Sequence, residues 1–339
     1  MKEVLDLLLA KRDLTQVQAR EAMAQVIAGR ATPAQIAGFL VALSAKGETT
    51  DEITGFARAM REAAVPLRAN VPGPVIDTSG TGGARVKTFN FSTLAAFVAA
   101  GAGAFVAKHG NRSGTGICGS ADVLEALGAR LDFPPERAAS VLERTGVVFC
   151  FAPAFHPATR HAAPVRRELG VRTVFNVLGP LTSPSQPQGQ VVGVFSERLV
   201  VPLATVLSNL GVSRAIVAHG VGGLDEISTV GETVVATLEE GAVRSERWRV
   251  EDLGVPRASA ADIGPLPPPE AAKEFRNLLS GARGPRRDAM LVNAAAALLV
   301  ARRASTLREG LRRAQESVDS GAALAKLDAF LAAAREAKA

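Results

Sequence analysis

The chain has 339 residues, of which 47% are hydrophobic and 21% are charged, and its formal net charge is +6. This length allows two domains with a sizeable core, and no apolar run approaches the ~20 residues that a membrane span requires. The positive charge suits a substrate with several phosphates as well as it suits nucleic acid, although one tryptophan and no tyrosine leave few platforms for stacking bases. Cys118 and Cys150 have neither metal-ligand nor redox spacing, which predicts a protein of the reducing cytoplasm.

The first 64 residues predict a small bundle of helices. Capping boxes, each a threonine with a glutamine or glutamate three residues later, begin at Thr15, Thr32 and Thr49. Apolar side chains recur at helical spacing over 36–43 and form one stripe. Because so small a bundle cannot bury its apolar faces alone, we expect it to pack on the rest of the chain or on a second subunit.

A first phosphate-binding loop is predicted at 80–83, directly after a short strand at 75–76. The sequence Gly-Thr-Gly-Gly lacks Cβ atoms at its glycines, so backbone N–H groups can crowd an anion. A helix is predicted to start just beyond it, and the free N–H groups of a helix start favour negative charge. The polar residues expected at that helix start are Asn90, Ser92 and Thr93.

A second loop of the same kind follows a strand predicted at 105–107. Lys108, His109, Asn111 and Arg112 are expected on this loop, and a helix is predicted from Ser120. The glycine spacing matches neither the dinucleotide fingerprint nor the ATP-binding P-loop. Two such loops in tandem nevertheless predict a site for a polyphosphate.

The rest of the chain alternates strands and helices, with buried strands predicted at 147–150, 191–195 and 215–219. We expect a helix over 154–169, an irregular proline-rich excursion over 171–187, and a hairpin that turns at 239–241 with its second strand at 248–250. A third glycine-rich loop, 220–226, leaves a strand end, and the chain is expected to be helical from residue 270. These segments are Val147–Cys150, Val191–Phe195, Ala215–His219, Gly220–Glu226 and Glu239–Gly241.

The pattern predicts an α/β fold, with a mostly parallel central sheet flanked by helices and a small all-helical N-terminal domain. We place the helical domain at residues 1–70, joined by part of 155–185. The α/β domain would then span 71–339. Ligand loops should lie beyond the carboxyl ends of the strands, where all three glycine-rich loops can converge.

The motifs of these loops also resemble a known family. Gly80-Thr-Gly-Gly83, Asn90-Phe-Ser-Thr93 and Lys108-His-Gly-Asn-Arg-Ser113 are similar to the substrate loops of the anthranilate phosphoribosyltransferase family. Further matches follow in the same order: His156-Pro, Pro164-Val-Arg166, Leu169 to Asn176, Leu178 to Pro184, and Gly223-Leu-Asp-Glu226. The family's first loop usually ends in Asp, and this chain has Ala84 instead.

The resemblance implies transfer of the 5-phosphoribosyl group of 5-phosphoribosyl pyrophosphate (PRPP) to anthranilate, in tryptophan biosynthesis. It also implies Mg²⁺ as cofactor and a homodimer formed through the helical domain. The residues implied for PRPP are Gly80, Gly83, Ala84, Thr88, Asn90, Phe91, Ser92, Thr93, Lys108, His109, Gly110, Asn111, Arg112, Ser113, Gly114, Thr115, Gly116 and Ser120. Those implied for anthranilate are Gly80, Asn111, Arg166 and His156, and those implied for the metal are Ser92, Asp225 and Glu226.

No nucleophile–base arrangement is legible in the sequence. Phosphoribosyl transfer needs none, because charge stabilisation of the departing pyrophosphate and placement of a neutral amine are sufficient. Read without the resemblance, Asp225-Glu226 is also compatible with a solvated acidic turn, and Arg166-Arg167 with an ordinary surface pair. Two other functions remain open: a pyrimidine nucleoside phosphorylase, and a non-catalytic relative that binds nucleic acid.

Overall fold

The computed structural model describes residues 1–114 and 117–336. The chain begins with four helices, as the sequence predicts. All three capping boxes form, with the threonine side chain accepting from the backbone N–H three residues later. The predicted apolar stripe of the third helix is fully buried. These helices are α1 (Lys2–Leu9), α2 (Gln16–Ile27), α3 (Pro33–Lys46) and α4 (Thr50–Ala63).

A seven-stranded sheet forms the centre of the molecule, in the order β3-β2-β1-β4-β5-β6-β7. The first five strands are parallel, and β6 and β7 add an antiparallel hairpin at one edge. This arrangement confirms the predicted fold class. The strands are β1 (Val75–Gly80), β2 (Phe105–Gly110), β3 (Val147–Phe151), β4 (Gly189–Gly193), β5 (Arg214–Gly220), β6 (Thr233–Glu239) and β7 (Ala242–Trp248).

Eleven further α-helices lie between and after the strands within the described part of the chain. The predicted helical C-terminal region is confirmed, and its alanine-rich helix α13 is almost completely buried. The helices are α5 (Phe91–Gly101), α6 (Ser120–Ala126), α7 (Pro135–Thr145), α8 (Ala152–Phe155), α9 (Ala163–Leu169), α10 (Phe175–Leu181), α11 (Val200–Asn209), α12 (Pro268–Leu279), α13 (Pro285–Val300), α14 (Leu307–Asp319) and α15 (Ala322–Glu336).

The apolar core has two parts, one on each face of the sheet. Val191 and Ile216 face the C-terminal helices, whereas Val192 and Val217 face α1 to α4, α10 and α11. This alternation is what the two-residue period of a strand requires. The central strands are therefore buried on both faces, as parallel strands normally are.

The predicted domain boundary falls in the extended segment 65–74 that links α4 to β1. Val65 N donates to Phe155 O at 2.9 Å, and Leu67 N donates to Pro184 O at 3.0 Å. Side chains of α9 and α10 also share the buried cluster of the N-terminal helices. Parts of 155–185 thus contact the N-terminal helices and the segment that follows them, and their membership of the helical domain stays a prediction.

Three predicted segments were wrong in detail. The helix expected over 154–169 is broken into α8, a short 3-10 turn at Pro157–His161, and α9. The proline-rich excursion contains a short helix, α10, which includes Pro180 in its last turn; the other prolines of the excursion, Pro184 and Pro187, follow the helix. The second hairpin strand is β7 and not 248–250.

The hairpin turn explains the position of β7. Glu240 and Gly241 both have positive φ, 50° and 81°, and a two-residue turn of that kind starts the second strand at once. The register pairs Glu239 with Ala242 accordingly. The strand was missed because it lies at the exposed sheet edge, where its sequence is mostly polar.

Candidate active site

The site is built where the strand order of the sheet reverses. From β1 the chain moves outward through β2 and β3, and it then returns to place β4 on the other side of β1. Strands β1 and β4 end together, with Gly80 paired to Gly193. Open α/β sheets bind ligands in the crevice beyond the carboxyl ends of strands at such a point.

Glycine is required at these strand ends because the acidic loop packs directly on them. A Cβ atom at Gly193 would lie 1.7 Å from the carbonyl oxygen of Asp225, and one at Gly80 would lie 3.2 Å from Asp225 Oδ2. In the first loop, Gly82 and Gly83 have φ of 64° and 74°, which side chains rarely adopt. The predicted glycine loop is therefore present, and it lies beside the predicted metal residues.

Arg172 holds the first loop in place; it lies in the family match Leu169 to Asn176, but no role in the site was predicted for it from the sequence. Its guanidinium donates to Gly83 O and lies 4.4 Å from the centre of the Phe195 ring. Its own carbonyl accepts from Ser44 Oγ of α3 at 3.4 Å. The segment before α10 thus connects the helical bundle to the glycine loop.

The start of α5 already holds a carboxylate. Ser92 and Glu226 line the same small cavity, and the Ser92 N–H lowers the pKa of Glu226. Asn90 does not cap the helix with its side chain, because its amide donates to Cys118 O at 3.1 Å. Thr93 is buried, and its Oγ1 has no partner among the described residues. Phe91 is buried against Phe89. Thr88 and Ala84 belong to the connecting loop, where Thr88 is half-buried and Ala84 is buried.

Lys108 and His109 lie in β2 and not on the loop after it. The strand extends to Gly110 because it pairs with β3 as far as Phe151. Lys108 Nζ donates to Thr78 O and lies 3.3 Å from Ser92 Oγ. Burial lowers the pKa of Lys108, while the carboxylates of Asp77 and Glu226 raise it. The ammonium is thus held below the crevice, next to the start of α5.

Asp77 supports the two basic residues from inside the sheet. It is fully buried and accepts from the His109 N–H at 3.0 Å and from Gln190 Nε2 at 3.4 Å. Burial raises the pKa of its carboxyl to about 6, although the Lys108 charge lowers it. Asp77 was not predicted from the sequence, because an acid in an apolar strand is recognised as important only when its partners are known.

The second loop is held by contacts within itself. Asn111 Oδ1 accepts from Arg112 N at 2.8 Å, Asn111 O accepts from Ser120 Oγ at 3.2 Å, and Asp122 accepts from Ser113 N at 2.9 Å. The Arg112 guanidinium pairs with Glu125 and lies 4.7 Å from the centre of the Phe151 ring. A Cβ at Gly110 would meet Ser120 Oγ at 2.4 Å, whereas Gly114 has open space around it. Thr115 and Gly116 lie outside the described residues.

Asp225 and Glu226 are half-buried carboxylates on the loop between β5 and β6. Burial raises the pKa of both, and the Asp225 charge raises the pKa of Glu226 further. Asn293 of α13 anchors the loop, because its amide accepts from Ile227 N at 3.2 Å and donates to Ile227 O at 3.1 Å. The pair is therefore held in place and is not a solvated turn.

The donor set fits a magnesium ion that arrives with a phosphate ligand. Hard carboxylate oxygens suit Mg²⁺, and two repelling, partly buried carboxyls are relieved by a cation. Within residues 1–114 and 117–336, no group of three or more Asp, Glu, His or Cys side chains could hold a metal by itself. Mg²⁺ bound by one or two carboxylates plus substrate phosphates matches this arrangement.

Arg166 and His156 lie on the side of the helical bundle. Arg166 of α9 is half-buried, its guanidinium lies 4.8 Å from the centre of the Phe175 ring, and it has no acidic partner among the described residues. The His156 ring centre lies 5.0 Å from that of His109, and both Nε2 atoms are buried without a partner in the described part of the chain. Burial lowers the pKa of His156 to about 4 and that of His109 to about 3, so both rings are neutral.

Two family models match the chain and define its class. The glycosyl transferase family helical bundle domain matches residues 2–64, and the glycosyl transferase family a/b domain matches residues 72–324. The chain thus contains both domains of this glycosyl transferase family.

Individual relatives show which family within this class the chain belongs to. The anthranilate phosphoribosyltransferase of Moorella thermoacetica is 51% identical over 332 residues, covering 98% of each chain, and that of Symbiobacterium thermophilum is 52% identical, covering 95% of this chain and 94% of the relative. The crystal structure of the Thermus thermophilus enzyme superposes with a TM-score of 0.93 at 44% identity, over 98% of this chain and 99% of that one. The chain belongs to the anthranilate phosphoribosyltransferase family.

A more distant structure was solved with ligands. The Saccharomyces cerevisiae anthranilate phosphoribosyltransferase in complex with PRPP and Mg has a TM-score of 0.89 at 26% identity, over 99% of this chain and 98% of that one. Within the described residues of this chain, no helix has both the length and the apolarity to cross a membrane.

Proposed function

We propose that this chain transfers the 5-phosphoribosyl group of PRPP to the amine of anthranilate, giving N-(5-phosphoribosyl)anthranilate and pyrophosphate, as a cytoplasmic step of tryptophan biosynthesis. One observation carries the assignment. The crevice at the ends of β1 and β4 brings together a glycine loop, a buried ammonium and two carboxylates. Such a crevice can hold a pyrophosphate together with its metal.

The phosphates of PRPP bind over the two glycine-rich loops. Gly80 to Gly83 offers backbone N–H groups, and Lys108, fixed by Thr78 and Ser92, supplies a positive charge from below. The remaining residues carried over from the family motifs complete this subsite. They are Ala84, Thr88, Asn90, Phe91, Ser92, Thr93, His109, Gly110, Asn111, Arg112, Ser113, Gly114, Thr115, Gly116 and Ser120.

Arg166 binds the carboxylate of anthranilate through its planar guanidinium, which forks onto both carboxylate oxygens. Its lack of an acidic partner among the described residues leaves these donors available. His156, Asn111 and Gly80 complete the acceptor pocket. Holding the acceptor by its carboxylate directs the neighbouring amine toward the ribose.

Bond breaking gives the ribose oxocarbenium character and places negative charge on the departing pyrophosphate. Lys108 and the loop N–H groups stabilise this charge in a preorganised site. A magnesium ion held by Asp225, Glu226 and Ser92 would neutralise part of the same charge. Neither His109 nor His156 is basic enough to accept a proton at neutral pH, in keeping with an amine acceptor that is already neutral.

The direct test mixes the protein with PRPP, Mg²⁺ and anthranilate and follows the loss of anthranilate fluorescence. We expect the loss to require all three components and to release one pyrophosphate for each anthranilate consumed. Stable fluorescence, with phosphorolysis of a pyrimidine nucleoside instead, would assign the site to the phosphorylase.

Ala84 should alter the magnesium dependence without abolishing activity. Ala84→Asp adds a buried negative charge beside the glycine loop, so we expect an active enzyme whose rate responds to a different range of Mg²⁺ concentration. Ala84→Asn, which has the same shape without the charge, is the control. Superimposable magnesium titrations of wild type and Ala84→Asp would show that the position does not affect the metal.

The N-terminal helices are the proposed site of homodimer formation. Leu9, Val17 and Val41 on α1, α2 and α3 are 73%, 62% and 47% exposed, and an association would bury such apolar side chains. We expect sedimentation equilibrium to give twice the chain mass, and Leu9→Asp with Val41→Asp to shift it toward the single chain. A wild-type protein that sediments as one chain contradicts this proposal.

A further inference from the structure

A second cavity lies at the amino-terminal end of β5, on the opposite side of the sheet from the crevice at the carboxyl ends of the strands. Its volume is about 490 Å³, and it is lined in part by Arg214, the first residue of β5. The crevice lies beyond the other end of that strand, about 20 Å away at the rise of a β-strand. Residues after α13 and in the first turn of α14 supply most of the remaining wall. No residue assigned above to PRPP, anthranilate or magnesium contributes to it.

The lining of this cavity contains more basic than acidic residues. Four arginines line it, Arg214, Arg302, Arg303 and Arg313, and only two acids, Glu240 and Glu309, are among its described lining residues. We call it the arginine pocket. A concave basic surface of this kind concentrates anions.

Neither glutamate neutralises the positive charge at the centre of the pocket. Glu309 Oε2 accepts from Ser305 N and Ser305 Oγ at 2.9 and 2.8 Å, and its Oε1 accepts from Arg313 Nε at 2.9 Å. Glu309 is thus fully engaged, and these bonds lower its pKa to about 2. Glu240 lies on the exposed hairpin turn. Arg214 is occupied with Glu239 and with Leu299 O.

Arg302 and Arg303 are the two cations of the pocket that remain available. Among the described residues, neither side chain makes a hydrogen bond or an ion pair. Arg303 is half-buried and Arg302 is exposed. A ligand with two or more negative charges would satisfy both groups through charge-assisted hydrogen bonds.

The backbone at Arg302 has a conformation that glycine normally adopts. Arg303 N donates to Leu298 O at 2.9 Å, and Arg302 N donates to Leu299 O at 3.1 Å. These bonds form the Schellman motif, in which the first residue after the helix C-cap is usually glycine. Arg302 occupies that position with φ of 56°. A glycine at this position should therefore relieve backbone strain.

We propose that the arginine pocket binds the phosphate group of a small phosphorylated metabolite, at a site separate from the PRPP crevice. The phosphate lies between Arg302 and Arg303, with Arg313 and Arg214 at the rim. The cavity volume falls in the range of small-molecule sites and exceeds what one phosphate group needs. The remainder of the metabolite therefore occupies the rest of the pocket.

The test is titration calorimetry of the full chain with inorganic tripolyphosphate in the presence of EDTA. We expect Arg302→Gln with Arg303→Gln to lose one binding site or to weaken it at least about ten-fold, the scale of one lost charge-assisted contact. Arg308→Gln with Arg312→Gln removes the same charge from the adjacent surface of α14 and should bind as the wild type does. Anthranilate turnover should be unchanged in both double variants.

A glycine variant separates binding from folding. Arg302→Gly relieves the backbone conformation, so it should melt at or above the wild-type temperature while losing the same tripolyphosphate site. Identical tripolyphosphate isotherms for wild type, Arg302→Gly and the Arg302/Arg303 variant would overturn the proposal. Citrate at equal concentration should bind more weakly, and tighter binding of citrate would overturn the assignment to phosphate.

Discussion

Replacing Asp225 with Asn and Glu226 with Gln should lower kcat by about a hundred-fold or more, the scale observed when a group that stabilises transition-state charge is removed. Both side chains adjoin the strand ends where pyrophosphate is proposed to leave. The amides are nearly isosteric with the acids, so the fold should persist. Because burial raises the pKa of both carboxyls, they are more fully ionised as pH rises, and the magnesium affinity of the wild type should increase in that direction.

The measurement is a set of magnesium titrations of the initial rate at two pH values, with melting curves on the same samples. Excess magnesium should restore part of the rate, since the defect lies in metal occupancy. Glu251→Gln with Asp252→Asn removes an exposed pair of neighbouring acids from another loop and serves as the control. Wild-type turnover by the Asp225/Glu226 variant at limiting magnesium would show that these residues do not hold the metal.

Arg166→Ala should raise the KM for anthranilate about ten- to a hundred-fold and leave PRPP binding nearly intact. The reason is loss of a charge-assisted contact worth roughly 1.5–3 kcal/mol. Arg166→Lys should recover little, because an ammonium cannot fork onto two carboxylate oxygens.

Arg167→Ala provides the matched control, since Arg167 is the adjacent arginine of the same helix and is exposed where Arg166 is half-buried. Steady-state kinetics with each substrate varied in turn will separate the two affinities. A weakened PRPP affinity with an unchanged KM for anthranilate would move Arg166 to the phosphate subsite.

Features fixed by neighbouring residues were predictable from the sequence. The capping boxes at Thr15, Thr32 and Thr49 depend on partners three residues away, and all three form. The glycine loop after β1 was predictable because Gly82 and Gly83 need a backbone that other residues avoid. The alternation of apolar segments indicated the sheet and its flanking helices.

Features that depend on distant partners were not predictable. Arg172 contacts Gly83 across 89 positions of sequence, and the motif around Arg172 does not reveal that partner. Lys108 was expected on a loop, because only the pairing of β2 with β3 shows that the strand continues. Asn293 resembles any polar residue in an alanine-rich helix until the acidic loop is seen against it.

The contact of Gly193 with the main chain of Asp225 limits how this enzyme can diverge or be redesigned. Even alanine at 193 would push the acidic loop away from the strand end, so this one change in the core should lower both the melting temperature and the affinity of the proposed metal site. The same loop has room on its outer side, where a Cβ at Gly222 would have no atom within 4 Å, although its φ of 101° still penalises a side chain. Insertions should therefore be tolerated before Gly223, whereas the strand end beneath the carboxylates should accept almost no change.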